Sequence, residues 1–236
     1  MNRQTFLKKG FTSILGVAVA APIIAACAKT TVDPTSTTSS GSTNGSSASD
    51  CTVTPAETAG PFPTKNPANY VIKDITSDRT GVKMTASISI KNKNASCGPL
   101  AGVLVDIWHC DADGNYSEYG SSTNVHFLRG RQTTDANGLV NFETIYPGWY
   151  SGRATHIHVH IYSASGKSLL VTQIAFPEDI SKTVFTTATS FYKKGQQDTT
   201  NARDGIFSDG VSLEMATLKG NIKDGYTLAH TIVVNG

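Results

Sequence analysis

The chain has 236 residues, 39% hydrophobic and 16% charged, with 20 Lys and Arg set against 18 Asp and Glu. Arg3, Lys8 and Lys9 belong to an amino-terminal leader; without them 17 cations face 18 acids, a mature charge of about −1. That balance leaves no basic stripe and excludes a nucleic-acid binder that works by phosphate neutralisation.

In chain order, MNRQTFLKKGFTSILGVAVAAPIIAAC has cations, an apolar run and small residues before Cys27, the layout of a secretory signal over residues 1–26. The run is short for a membrane span. Ile24, Ala25, Ala26 and Cys27 resemble the lipobox of bacterial lipoproteins, in which the cysteine becomes the acylated amino terminus; the chain is expected outside the cytoplasm, tethered to a membrane. NRQTFLKK resembles a twin-arginine signal with Gln4 in place of the second arginine. Residues 27–50 are rich in Ser, Thr and Gly, with little to bury, and read as a flexible tether. Residues 51–236 suit one domain with a sizeable core.

Within that domain Val82, Met84, Ala86, Ile88 and Ile90 alternate at period two, and Gly102–His109, Gly138–Ile145, Thr155–Tyr162, Leu169–Phe176 and Tyr226–Val234 also read as strands. Asp113-Gly114, Asn137-Gly138 and Asp224-Gly225 punctuate them as turns. Helical periodicity is confined to TVFTTATSFYKK and SLEMATLKG. Many short strands with few helices predict an all-β, antiparallel sandwich. There is no internal repeat and no phosphate-binding glycine loop.

With Cys27 acylated, Cys51, Cys97 and Cys110 remain, in a compartment where disulfides persist. Sequence does not dictate their connectivity. Cys97 and Cys110 flank a strand whose ends lie roughly 25 Å apart, which makes that bridge awkward. Cys51 with Cys97 is the preferred pairing, leaving Cys110 free.

Half of the six histidines fall within RATHIHVHIY. On a strand His156, His158 and His160 share one face, and Ile157, Val159 and Ile161 the other. A polar, solvated face is the ordinary reading of such alternation. The clustering points instead to a metal, since imidazoles at i and i+2 stand about 6.6 Å apart at the backbone and converge on one ion. All three on one ion would strain the geometry, so the pair is His156 with His158 or His158 with His160. The further ligands that a cupin, an HxHxDH hydrolase or a copper–zinc superoxide dismutase would supply are missing. Tyrosines near the motif, Tyr116 and Tyr150, offer phenolate oxygens, and phenolate with imidazole suits a trivalent iron.

PGWYSGRATHIHVHI, with GVLVDIWHCDADGNYS, GRQTTDANGLVNFETIYPG, LLVTQIAF and TPAETAGPFP, resembles the intradiol ring-cleavage dioxygenases, the catechol and protocatechuate enzymes, from about Thr54 to Val234 and in the same order. The resemblance implies their prealbumin-like β-sandwich and one Fe(III) per chain held by Tyr116, Tyr150, His156 and His158, with His160 outside the set. Arg153 and Gln173 match family positions that act on the substrate, and Gly60 and Pro61 match an element lining the pocket. It also implies the reaction: both atoms of O2 enter a catechol-type ring, which opens between its hydroxyl-bearing carbons to a cis,cis-muconate-type diacid. Tyr150 is the ligand expected to give way to the catechol. Only Ser151 and Gly152 separate Tyr150 from Arg153, a shorter loop that resembles a secreted branch of the family and should open the pocket. Ala175 replaces a bulkier aromatic.

The alternative is a non-catalytic, transthyretin-like surface module that inherited the scaffold; retention of the whole ligand set with Arg153 argues against it. Trp108 and Trp149 are assigned to core or pocket wall, and His109 and His126 to structural or surface positions. His230 is expected to point outward, Tyr119 and Tyr146 to be amphipathic strand-edge residues, and Lys193 and Lys194 to form a solvated helix end.

Overall fold

The computed structural model describes residues 51–236; the signal, the tether and Cys27 lie outside the described residues. Nine strands and one α-helix follow in order: β1 (Lys83–Asn92), β2 (Gly98–Pro99), β3 (Leu104–Trp108), β4 (Arg129–Thr133), β5 (Leu139–Ile145), β6 (His156–Tyr162), β7 (Ser168–Ala175), α1 (Glu178–Thr187), β8 (Thr217–Asn221) and β9 (Gly225–Val234). They form the expected all-β architecture of two sheets. One runs β2-β1-β9-β8 with β5 also on β1, and the other β4-β3-β6-β7.

Alternation builds the core. Met84, Ala86, Ile88 and Ile90 of β1 and Leu228, Ile232 and Val234 of β9 turn inward from the five-stranded sheet. Val105 and Ile107 of β3, Ile157, Val159 and Ile161 of β6, and Ile174 of β7 join the same cluster from the other sheet. Each Val, Leu, Ile or Met side chain among them contributes about 1.5–3 kcal/mol on burial. The turn between β4 and β5 needs Gly138: φ is +71°, and a Cβ there would meet the Ile90 carbonyl oxygen at 2.5 Å. The bridge Cys51–Cys97 forms, and Cys110 stays free and buried.

The sheets are not wholly antiparallel, because β1 and β9 pair in parallel. Three strands, β2, β4 and β8, carry too little apolar alternation to be read from sequence. SLEMATLKG is not helical: Glu214 and Ala216 exchange backbone hydrogen bonds with Ala175, and the chain then enters β8. The expected helix over Thr183–Lys194 is displaced to Glu178–Thr187, where Glu178 and Asp179 favour the helix amino terminus. It ends early because Tyr192 turns into the core, donating to the Tyr146 carbonyl (2.7 Å) and accepting from Val82 N–H (3.2 Å). Lys193 and Lys194 therefore lie in turns, and Lys194 Nζ sits 4.1 Å from the Trp149 ring centroid. Tyr146 is a buried core residue, its hydroxyl on Ser181, not a strand-edge one. His230 is only partly exposed, and its Nε2 is buried without a partner, against the outward placement expected.

Candidate metal centre

The outer face of the four-stranded sheet is where chemistry collects. In register, Trp108 of β3 lies opposite His158 of β6, which lies opposite Gln173 of β7. The Trp108 indole stacks on the His158 imidazole, centroids 4.9 Å apart and planes within 5°. Three segments cover this end of the face. Thr54–Phe62 passes beside it, with Thr54 N–H on Val233 O and Glu57 N–H on Val171 O. The loop after β3 delivers Tyr116, shaped by Asp111, whose carboxylate accepts from Asp113 and Asn115 N–H. The loop after β5 delivers Tyr150 and Arg153.

His156 Nδ1 lies 2.6 Å from the Ala154 carbonyl, so that nitrogen carries the proton and donates it. Nε2 is left as a lone-pair donor, 3.1 Å from His158 Nε2 and 3.5 Å from the Tyr116 hydroxyl. The Tyr150 ring stands edge-on to both neighbours, its centroid 5.8 Å from Tyr116 and 5.7 Å from His156. Two atoms each about 2.1 Å from a shared ion lie no more than about 4.2 Å apart, and both measured separations satisfy this. Hard phenol oxygens beside imidazole nitrogens fit ferric iron, so the donor set matches the group that the sequence implied.

Burial sets the protonation of these groups before any ion is considered. It lowers His156 to about 3, helped by the Arg153 charge, and drives His158 well below the usual imidazole range, with His156 adding to the effect. It raises Tyr116 well above an ordinary phenol, and raises Tyr150 too. Neutral imidazoles are ready ligands, whereas phenolates here need a cation's compensation.

Gly60 explains how His158 fits. Its φ is +66°, and an added Cβ would lie 3.0 Å from His158 Cε1. Pro61 is exposed, and Phe62 is the side chain that stacks on Tyr116, at 4.9 Å. Arg153 is fixed on three sides: Nε is 2.9 Å from both Asp204 carboxylate oxygens, Nη2 donates to Gln173 Oε1, and Nη1 is 3.4 Å from the Tyr150 hydroxyl. Gln173 in turn donates from Nε2 to the Thr58 carbonyl at 2.8 Å. His160 is turned aside, its Nε2 2.8 Å from Ser168 Oγ and its ring stacked on Tyr162. The structure thus brings together Tyr116, Tyr150, Arg153, His156, His158, Gln173 and Gly60, with Pro61 at the rim.

Sequence reasoning missed Asp204, which is buried and also accepts from Ala154 N–H at 2.8 Å. It missed Arg129, buried, whose guanidinium donates to Ser117 Oγ, Ser117 O and Phe62 O and so ties the Tyr116 loop to the Phe62 segment. Neither stood in a motif: Arg129 directly precedes the GRQTTDANG stretch, whose own arginine is Arg131. The expected bulk near Ala175 is supplied from elsewhere, by Phe207 packed on Ala154 and Ala175.

The family profile described as Dioxygenase_C, Dioxygenase, matches residues 60–198, a span that includes every one of these candidate ligands. The chain belongs to the intradiol ring-cleavage dioxygenase family. It is similar to an intradiol ring-cleavage dioxygenase from Tetranychus urticae, at 28% identity and a TM-score of 0.70, covering 78% of this chain and 95% of that one. The dioxygenase domain of a carbohydrate-binding fusion protein from Streptomyces sp. SirexAA-E matches at 28% identity and TM-score 0.56, over 77% and 97%. Among curated relatives, chlorocatechol 1,2-dioxygenase of Rhodococcus opacus is 29% identical over 139 residues, 50% of this chain and 52% of the relative. Protocatechuate 3,4-dioxygenase beta chain of Burkholderia cepacia is 36% identical over 93 residues, 34% of this chain and 40% of the relative. The chain spans about half the length of the first of these and less of the second.

Proposed function

We propose that this protein is a ferric intradiol dioxygenase, exported as a lipoprotein through Cys27, that opens small catechols with O2 to cis,cis-muconate-type diacids. The observation that carries this reading is the approach of His158 Nε2, at 3.1 Å, and the Tyr116 hydroxyl, at 3.5 Å, to His156 Nε2 beside the Tyr150 ring. When bound by Tyr116, Tyr150, His156 and His158, Fe(III) would hold the substrate as a catecholate and draw electron density from it, which makes the ring reactive toward O2.

The two tyrosines differ in burial, and that divides their work. Tyr116 is 5% exposed and stacked under Phe62. Tyr150 is half-buried at the mouth, so as an iron-bound phenolate it would be the one to give up its place and accept the proton of an incoming substrate hydroxyl. Arg153 Nη1, already pointed at the Tyr150 oxygen, is placed to hold negative charge on the substrate. Asp204 and Gln173 fix the plane of that guanidinium, so little reorganisation is needed during reaction.

Visible spectroscopy and oxygen uptake across a panel of substituted catechols test the reading. Iron-loaded protein should show a burgundy tyrosinate-to-Fe(III) band and consume O2 with at least one catechol. Protein that stays colourless after ferric loading sinks the proposal and leaves a binding module on the same scaffold.

A further inference from the structure

Away from the imidazoles, Glu57, Asp209 and Glu214 bring one carboxylate oxygen each within 4.8 Å of one another. Glu57 sits on the segment that runs on to Thr58 and Gly60. Asp209 and Glu214 belong to the loop between Asp204 and β8. Glu214 is 0% exposed. Its Oε1 accepts from Thr172 Oγ1 at 3.3 Å, and its Oε2, buried, has no hydrogen-bond partner.

A carboxylate oxygen shut from water with nothing to bind is costly, so a proton or a cation must answer it. Among the described residues none of the ion pairs reaches these three acids. Arg153, whose charge acts on Glu57, is committed to Asp204 and Gln173. Burial raises Glu214 to about 8, with Glu57 and then Asp209 adding to the effect, which is the repulsion that a bound cation relieves.

We propose that Glu57, Asp209 and Glu214 form a divalent cation site of the calcium type. All-oxygen donors select hard cations, and three carboxylates from two separate segments, completed by water, suit the irregular shell of Ca2+ better than the strict octahedron of Mg2+. Asp209 is exposed and gives the ion a path in. The site joins the segment that receives Gln173 to the loop that holds Arg153 through Asp204. It is thus a staple behind the substrate-binding arginine, independent of whether iron is present.

Calorimetric titration of the metal-loaded full chain with CaCl2, with thermal unfolding in parallel, tests this. One site with Kd of about 10⁻⁴–10⁻³ M is expected. At tenfold Kd the Tm should rise by about 3–6 °C. Mg2+ at the same concentration should give less. Glu214→Gln should abolish the shift, and Asp209→Asn, at an exposed position where folding is not at risk, should weaken binding at least tenfold. Asp224→Asn, an acidic control on the far turn, should bind as the wild type does. A wild type blind to Ca2+, or an Asp209→Asn protein that still binds normally, overturns the proposal. So does a Glu214→Gln protein that is more stable than a Ca2+-insensitive wild type, since a shared proton then holds the carboxylates together.

Discussion

Strands β1 and β6 both alternate, yet they do opposite things with their polar faces. In β1, Ser87 and Ser89 look out between buried Ala86, Ile88 and Ile90, and with Thr227 and Thr231 they line a depression of about 640 Å3. Among the described residues no set of His, Cys, Asp and Glu side chains converges there. In β6, His156 and His158 are as buried as Ile157 and Val159. The strands differ in how far their polar residues are covered: Ser87 and Ser89 keep partial exposure, whereas three segments bury the His156 end of β6. Size of cavity is thus a poor guide here, and desolvation of a polar face is the better one.

The comparison can be broken hardest at Tyr116. Tyr116→Phe keeps the stacking on Phe62 but removes a donor, and should abolish the visible band and lower oxygen uptake by more than about 100-fold, beyond the cost of losing an outer partner. Wild-type turnover would show that the covered face is not the reacting one. Next, Asp204→Ala removes a fully buried carboxylate from the partly buried Arg153 guanidinium and should cost about 2–3 kcal/mol, read from urea midpoints. A loss below about 0.5 kcal/mol would mean that Arg153 is held without it.

Acid gives an effect of similar size. His109, buried between the Cys110 carbonyl and Thr144 Oγ1, is lowered by burial to about 4 from 6.5. The unfolded chain takes up that proton first as pH falls, so the stabilisation is whole above pH 6.5 and is lost toward pH 4, about 3 kcal/mol in all. The difference between wild type and His109→Gln, followed across that window, should shrink accordingly; a constant difference would rule the titration out. Gly60→Ala sharpens the contrast more gently, since left-handed φ costs about 1–2 kcal/mol and His158 must shift. Ferric affinity should fall about tenfold. His160→Gln, at the uncovered end of β6, should leave iron stoichiometry unchanged and stability within about 1 kcal/mol. Loss of metal in that protein would exchange the roles of the histidines.

Much of this was legible in the chain. Period-two runs located β1, β3, β5, β6, β7 and β9, because each pays half its residues into one core. The HxH spacing with two tyrosines located side chains that the fold brings together, His156 and His158 with Tyr116 and the Tyr150 ring. What sequence withheld was long-range. β4 begins on buried Arg129, whose worth lies in oxygens of Phe62 and Ser117 far along the chain. Asp204 sits in an ordinary NARDG turn and meets Arg153 only after the loop folds back. The parallel match of β1 to β9 depends on a pairing 140 residues apart, roughly, for which local alternation carries no signal.

The Cys51–Cys97 bridge has a mechanical meaning. Whatever tugs on the chain from its amino-terminal side reaches the folded body at Cys51, three residues before the segment that leads to Gly60 and Phe62. The crosslink passes that load into the Cys97 turn and the far edge of the five-stranded sheet. The lining of His158 and Tyr116 is thereby mechanically grounded. Reduction would reroute the same pull through the Thr54–Val233 hydrogen bonds and onto the wall of the pocket itself.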